Sequence, residues 1–122
     1  MKKFSRVCMT SMATPQNQEG KAARGREKQY TRLGTESLRQ YRGMGGSVKV
    51  GMLYAEYANV VDKKTNTTKK VKILNVTANP SDPNFVQRNI INKGAKISTE
   101  AGDAIVTSRP GQDGAINAVL IN

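Results

Sequence analysis

The side chains of this chain that have chemistry to offer are cations and rings. Lys21, Arg24, Arg26, Lys28, Arg32, Arg39 and Arg42 form a ladder, with Tyr30 and Tyr41 set among them. An arginine presents a planar fork that fits phosphate oxygens, and a tyrosine presents a face on which a base or a guanidinium can stack. That combination suits a nucleic acid, a polyanion that carries planar groups. The charge is unevenly spread: of a net +11, residues 1–50 hold 11 Lys/Arg against 3 Asp/Glu, and residues 51–122 hold 9 against 6. Solubility alone does not segregate charge in this way. Cations spaced along a polar stretch repel one another until a partner's phosphates neutralise them.

Catalytic groups are scarce. The chain has no histidine, and Cys8 is its one cysteine, which excludes an internal disulfide and a thiolate zinc site and leaves nucleophile–base pairs almost no raw material. Asp62, Asp82, Glu100, Asp103 and Asp113 could supply a carboxylate pair for hydrolysis, but four of them fall in predicted turns, where acidic residues serve as caps and Asx turns. The expectation is a protein that is not an enzyme, with no cofactor, no metal and no small-molecule substrate. The enzymatic alternative is a phosphate-processing activity on RNA, for which Asp62 or Asp113 would be needed for turnover and not for binding. A lone cysteine points to a reducing compartment. The longest uncharged apolar stretch, Ala115 to Ile121, contains Asn117 and falls far short of the about 20 residues that cross a bilayer. Met1-Lys2-Lys3-Phe4 imitates the start of a signal peptide, but Arg6, Thr10, Ser11 and Thr14 break the apolar run that should follow. A soluble protein without a membrane partner is expected.

The elements that must position these groups divide the 122 residues into a basic, largely extended N-terminal arm (1–46) and a small body (47–122). Residues 1–20 are polar, with Pro15, Gln16, Asn17, Gln18 and Gly20 as breakers. Within the arm, Glu36 to Arg42 has a helical alternative of two turns, because Thr35 could cap it and Leu38 and Tyr41 share a face. Gly43, Gly45 and Gly46 read as a hinge or a tight backbone approach, since the spacing of a phosphate-binding loop is missing. From Val48 the apolar period is two: Val48, Val50, Met52 and Tyr54 alternate with Lys49 and Gly51, then the phase moves to Leu53, Ala55 and Tyr57. A shift of phase within one strand predicts a bulge or a bend from one sheet to another.

Asp62 to Thr68 is a polar turn, and the strand from Lys69 repeats the slip, with Val71 and Ile73 followed by Leu74, Val76 and Ala78. Asp82 before Pro83 predicts a capped helical turn carrying Phe85 and Val86 inward. Ala95, Ile97 and Thr99 alternate as a half-buried strand, Gly102-Asp103 reads as a hairpin turn, and Ala115 to Ile121 is apolar on both parities, as in a central strand. The fold class that follows is all-β, a small antiparallel β-barrel. Its densest polar motif is the loop Arg109-Pro110-Gly111-Gln112-Asp113-Gly114, in which proline and glycines build a rigid turn that projects Arg109 and Gln112.

The run Thr107-Ser108-Arg109-Pro110-Gly111-Gln112-Asp113-Gly114, with Asn117-Ala118-Val119-Leu120 after it, resembles the C-terminal signature of the archaeal and eukaryotic-type small-subunit ribosomal protein eight family. Other blocks agree in order: Tyr57-Ala58-Asn59-Val60 with Asp62, Lys70 to Ile73, Asn79-Pro80, Arg88 to Ile91, Lys93-Gly94-Ala95, and Thr99-Glu100. The resemblance covers about residues 21–122 and looks like the short, archaeal form, because the insertion of eukaryotic members is missing. Two stretches depart from the family pattern. Residues 7–20 contain no Lys or Arg, and Met44 stands where the family has an arginine before its glycine pair.

The resemblance implies a β-barrel with a basic extension, a structural component of the small ribosomal subunit that binds and rigidifies ribosomal RNA in the cytoplasm. Its implied partners are small-subunit ribosomal RNA and neighbouring small-subunit ribosomal proteins. The arm from Lys21 to Arg42 would replace counterions between RNA helices, while the body would offer Lys49, Lys69, Lys70, Lys72, Arg88, Lys93, Arg109 and Gln112 to nearby backbone. The alternative is a ribosome-assembly factor sharing the same barrel, for which the arm here is short.

Overall fold

The computed structural model describes residues 28–121; Lys21, Arg24 and Arg26 of the ladder and the polar residues 1–20 lie outside the described residues. In chain order the strands are β1 (Thr31–Leu33), β2 (Ser37–Arg42), β3 (Val48–Ala55), β4 (Tyr57–Asp62), β5 (Thr67–Ala78), β6 (Ile90–Ile91), β7 (Lys96–Thr99), β8 (Gly102–Val106) and β9 (Asn117–Leu120). One-turn helices at Asn84–Gln87 and Pro110–Asp113 complete them. The strands make two sheets, an open one in the order β2-β3-β1-β6 and a closed barrel in the order β4-β5-β7-β8-β9.

The phase shift along residues 48–60 marks the passage between the sheets. β3 belongs to the open sheet and β4 to the barrel, with Glu56 alone between them. Met52 and Ala55 are buried within β3 and Ala58 and Val60 within β4, so the inward parity changes between Met52 and Ala55 and again across Glu56; Tyr57, expected inward with Leu53 and Ala55, is instead exposed. β5 follows with register shifts between Ile73 and Asn75 and between Val76 and Ala78. These bulges turn Leu74 outward while Ile73 and Val76 stay buried; an unpaired residue in a ladder bends the strand and increases its twist, which a narrow barrel requires.

The barrel is antiparallel except at its seam. β4 and β9 run parallel, with Asn59 opposite Asn117, Val60 opposite Ala118 and Val61 opposite Val119. Five strands of alternating direction cannot close without one parallel pair. Asn59 Nδ2 donates to Asn117 Oδ1 across the seam at 3.2 Å, and the Asn59 N–H donates to the Ile116 carbonyl at 2.8 Å. A five-stranded barrel has a narrow interior, and Ala58, Ala104 and Ala118 fill it together with Val60, Ile73, Ile97, Val106 and Ile116. Met52, Ala55 and Ile91 of the open sheet join the same buried cluster, so the two sheets share one core.

Several local expectations are corrected. Ser37–Arg42 is a strand, not a helix: Leu38 pairs with Met52, Gln40 with Val50 and Arg42 with Val48. Ladder bonds to β3 outweigh the few a two-turn helix would make. The glycines of 43–46 form the turn of this hairpin, closed by the Gly43 N–H on the Ser47 carbonyl at 2.6 Å, and so residue 46 lies inside a β-hairpin. β1 also runs parallel to β3. The turn assigned to Gly102-Asp103 sits at Glu100 and Ala101 instead, and Gly102 opens β8. Thr99 closes it by donating Oγ1–H to the Gly102 carbonyl at 2.7 Å. At Asp82-Pro83 the capped turn forms, with Asp82 Oδ1 accepting from the Asn84 N–H at 2.9 Å and Phe85 and Val86 half-buried.

Candidate nucleic-acid interface

The loop after β8 is placed by glycine. Pro110–Asp113 packs against β3 so closely that a Cβ on Gly51 would stand 2.6 Å from the Gly111 carbonyl oxygen. Gly114, at φ +70°, ends the turn in the left-handed region beside Val50, a conformation that favours glycine. Inside the turn, Asp113 Oδ2 accepts from the Arg109 N–H at 2.8 Å, and the Gln112 and Asp113 N–H groups donate to the Arg109 carbonyl. Ser108 locks the base, donating to the Ala115 carbonyl at 3.0 Å and accepting from the Asn117 N–H at 2.9 Å. The side chains of Arg109 and Gln112 are exposed on this fixed platform.

Facing the loop, β2 and β3 present Arg39, Tyr41 and Lys49, and the entering chain passes between the two as Lys28, Gln29 and Tyr30. Tyr41 donates its hydroxyl to Gln29 Oε1 at 3.0 Å, the Arg39 guanidinium lies 5.4 Å from the Tyr41 ring centre, and Tyr30 packs on Phe85 with centroids 5.2 Å apart. Together with Ser81, Asn92 and Lys93 these residues bound an open groove of about 1250 Å³. Its lining carries five cations, Lys28, Arg39, Lys49, Lys93 and Arg109, and, among the described residues, no carboxylate. Such a concentration of one sign beside low-dielectric walls focuses the field on an anion.

Seven residues expected from the sequence therefore meet in one place: Lys28, Tyr30, Arg39, Lys49, Lys93, Arg109 and Gln112. The others among the described residues are elsewhere. Arg32 is exposed on β1, Arg42 ends β2, and Arg88 follows the Asn84–Gln87 turn. Lys69 sits at a barrel mouth with Asp62, Thr65 and Thr67. Lys70 lies over the Tyr57 ring, 5.1 Å from its centre. Lys72 Nζ is 3.0 Å from Glu56 Oε1, and that bond, with the charge behind it, holds the ammonium pKa above its ordinary value. Lys70 and Lys72 thus already have partners on the barrel wall. Gln29, Ser81 and Asn92 were missed by sequence reasoning. Gln29 had a signal in its neighbours Lys28 and Tyr30, and Asn92 in the block around Ile91 and Lys93, whereas Ser81 carried none beyond a turn.

The family model described as Ribosomal protein S8e matches residues 3–121. A protein of Picrophilus torridus named small ribosomal subunit protein eS8 is 58% identical over 97 residues, which span 80% of this chain and 78% of that protein. Proteins of the same name from Hyperthermus butylicus and Methanococcus aeolicus are each 52% identical, over 98 and 99 residues, spanning 80% of this chain and 72% and 77% of theirs. The match runs through both sheets and the glycine-built loop, and on that extent the chain belongs to the ribosomal protein S8e family.

Proposed function

We propose that this protein is a structural constituent of the small ribosomal subunit that binds ribosomal RNA through the groove between the Arg109 loop and the β2–β3 hairpin. Family membership supports the subunit. The single observation that carries the RNA reading is the groove itself, with five cations, two tyrosines and, among the described residues, no carboxylate. Phosphates lying along its rim would release their condensed counterions, the main source of affinity in such contacts. Arg109 and Gln112, held by a turn that does not need to reorganise, bind with less ordering cost than they would on a free loop. Lys21, Arg24 and Arg26 precede Lys28 in the sequence, with Glu27 between Arg26 and Lys28, and would add to the same basic ladder. The protein rigidifies folded RNA in the cytoplasmic ribosome and meets neighbouring small-subunit proteins there.

Lysate sedimented through a gradient tests this reading. Co-migration with mature small subunits is expected. Enrichment on precursor particles alone would replace it with the assembly-factor reading, and free migration in every pool would overturn both.

A further inference from the structure

The groove separates its charge from its apolar surface, and this bears on what form of RNA it takes. Lys28, Arg39, Lys49, Lys93 and Arg109 are all exposed at its rim. The floor is different: Tyr41 and Val50 supply it, each half-buried, while Thr31 and Ile91, each 1% exposed, and the buried Pro110 offer almost no surface of their own. The Thr31 hydroxyl is already committed to the Met52 carbonyl at 2.7 Å. A duplex backbone pressed into such a groove would set its phosphates against the Tyr30 ring and Val50, and an anion desolvated on apolar surface without donors is costly. A nucleobase has the opposite needs. Its faces gain from rings and apolar floor, while its own phosphates remain outside with the rim cations. Tyr30 is 39% exposed and is braced from behind by Phe85, so it offers a fixed surface at the groove. The space, about 1250 Å³, exceeds the roughly 300–1,000 Å³ of small-molecule pockets and accommodates a base with its sugar.

We infer that the groove receives an unpaired nucleotide of the RNA, with the base inside against Tyr30 and the floor and the flanking phosphates on the rim. This rests on the RNA-binding reading above and narrows it from RNA in general to RNA with an unstacked base. Asn92 adds a polar contact. Its Nδ2 donates to Ser81 Oγ at 3.0 Å, while Oδ1 is buried without a partner. A small rotation of the amide would offer that acceptor to a base amino group and relieve an unsatisfied buried oxygen.

The test uses the full chain and two RNA hairpins of equal charge and stem sequence, one fully paired and one carrying a single unpaired fluorescent adenine analogue. Binding to the unpaired-base hairpin should be tighter by roughly tenfold, in line with the stacking of one base on an aromatic ring, and the analogue's fluorescence should change on binding. Tyr30→Leu should erase the fluorescence change and bring the affinity for the unpaired-base hairpin down to that for the paired one. Asn92→Leu, a second variant outside the Tyr30–Phe85 contact, should weaken the preference for the unpaired hairpin. Equal affinity for the two hairpins, or a preference that survives Tyr30→Leu, overturns this inference and leaves the RNA-binding reading standing. Failure to bind either hairpin at low salt overturns both.

Discussion

Gly51→Ala is the sharpest perturbation of the groove, because it adds one methyl group where the loop rests on β3. The new Cβ would stand 2.6 Å from the Gly111 carbonyl oxygen, 3.0 Å from Tyr41 Cε2 and 3.3 Å from the Gly111 carbonyl carbon. An ordinary non-bonded separation is about 3.5 Å or more, so something must move by about 1 Å. Tyr41 can swing aside, at the loss of its bond to Gln29. The carbonyl cannot move alone, since its turn is tied by the Arg109–Asp113 bonds and the Gly114 N–H on the Pro110 carbonyl. The loop therefore shifts as a unit and takes Arg109 and Gln112 with it.

Overpacking of this kind costs about 1–3 kcal/mol. The lower entropy of unfolded alanine returns about 0.4–1 kcal/mol. A net loss near 1–2 kcal/mol corresponds to a fall in Tm of roughly 5–15 °C for a body of this size. Thermal unfolding followed by circular dichroism measures it, and a parallel RNA titration should show weaker binding at a temperature where the variant is folded. Gly111→Ala, whose Cβ would meet the Gln29 carbonyl oxygen at 3.1 Å, should cost less. An unchanged Tm together with unchanged RNA affinity in Gly51→Ala would refute the view that the loop is seated on β3.

Other expectations concern the core, the turns and the barrel wall. Ile97→Ala, at a side chain 0% exposed within the narrow barrel, should destabilise by about 2–5 kcal/mol in urea unfolding. Asp62 accepts from the Lys64 N–H and the Thr65 hydroxyl, and these bonds hold its carboxyl below the ordinary value of 3.8. Its contribution is thus present at neutral pH and lost as pH falls through the folded-state value. Asp62→Asn should lower Tm at pH 7, and the gap to wild type should close in strong acid. Lys72→Gln removes a cation already paired with Glu56 and should weaken RNA binding less than Arg39→Gln, measured in one titration.

What could be read in the sequence was local, and what could not was assembly. That residues 48–57 must bend was visible because apolar parity is a property of neighbouring residues and a run that changes phase must bend if both halves are to face a core; the position of the break, after Ala55, was not, and Tyr57 faces outward. The bulges of β5 were visible for the same reason. The helical alternative for Glu36 to Arg42 arose because Leu38 and Tyr41 sit at a spacing that suits a helix face, while the partner that makes Ser37–Arg42 a strand lies across the turn at Val48 to Tyr54. The parallel seam between β4 and β9 depends on the number of strands, which no single segment carries. The loop motif announced Arg109 and Gln112. Its seat did not, because Gly51 and Gly111 are distant in sequence and look like ordinary glycines until the two backbones touch. The groove unites Gln29, Lys49, Asn92 and Arg109 across most of the chain, a constellation that only the closed fold brings together.

The salt dependence of RNA binding tests the central claim most directly. For each phosphate a cation neutralises, the slope of log affinity against log salt steepens by roughly 0.7–0.9. A chain carrying Arg39→Gln, Lys49→Gln and Arg109→Gln together should therefore bind with a slope shallower than wild type by roughly 2–3. The matched chain with Lys63→Gln, Lys64→Gln and Lys96→Gln, which removes as many exposed cations away from the groove, should keep the wild-type slope. Equal slopes in all three proteins, or an equal loss in both variants, would contradict the groove as the place where this protein holds RNA.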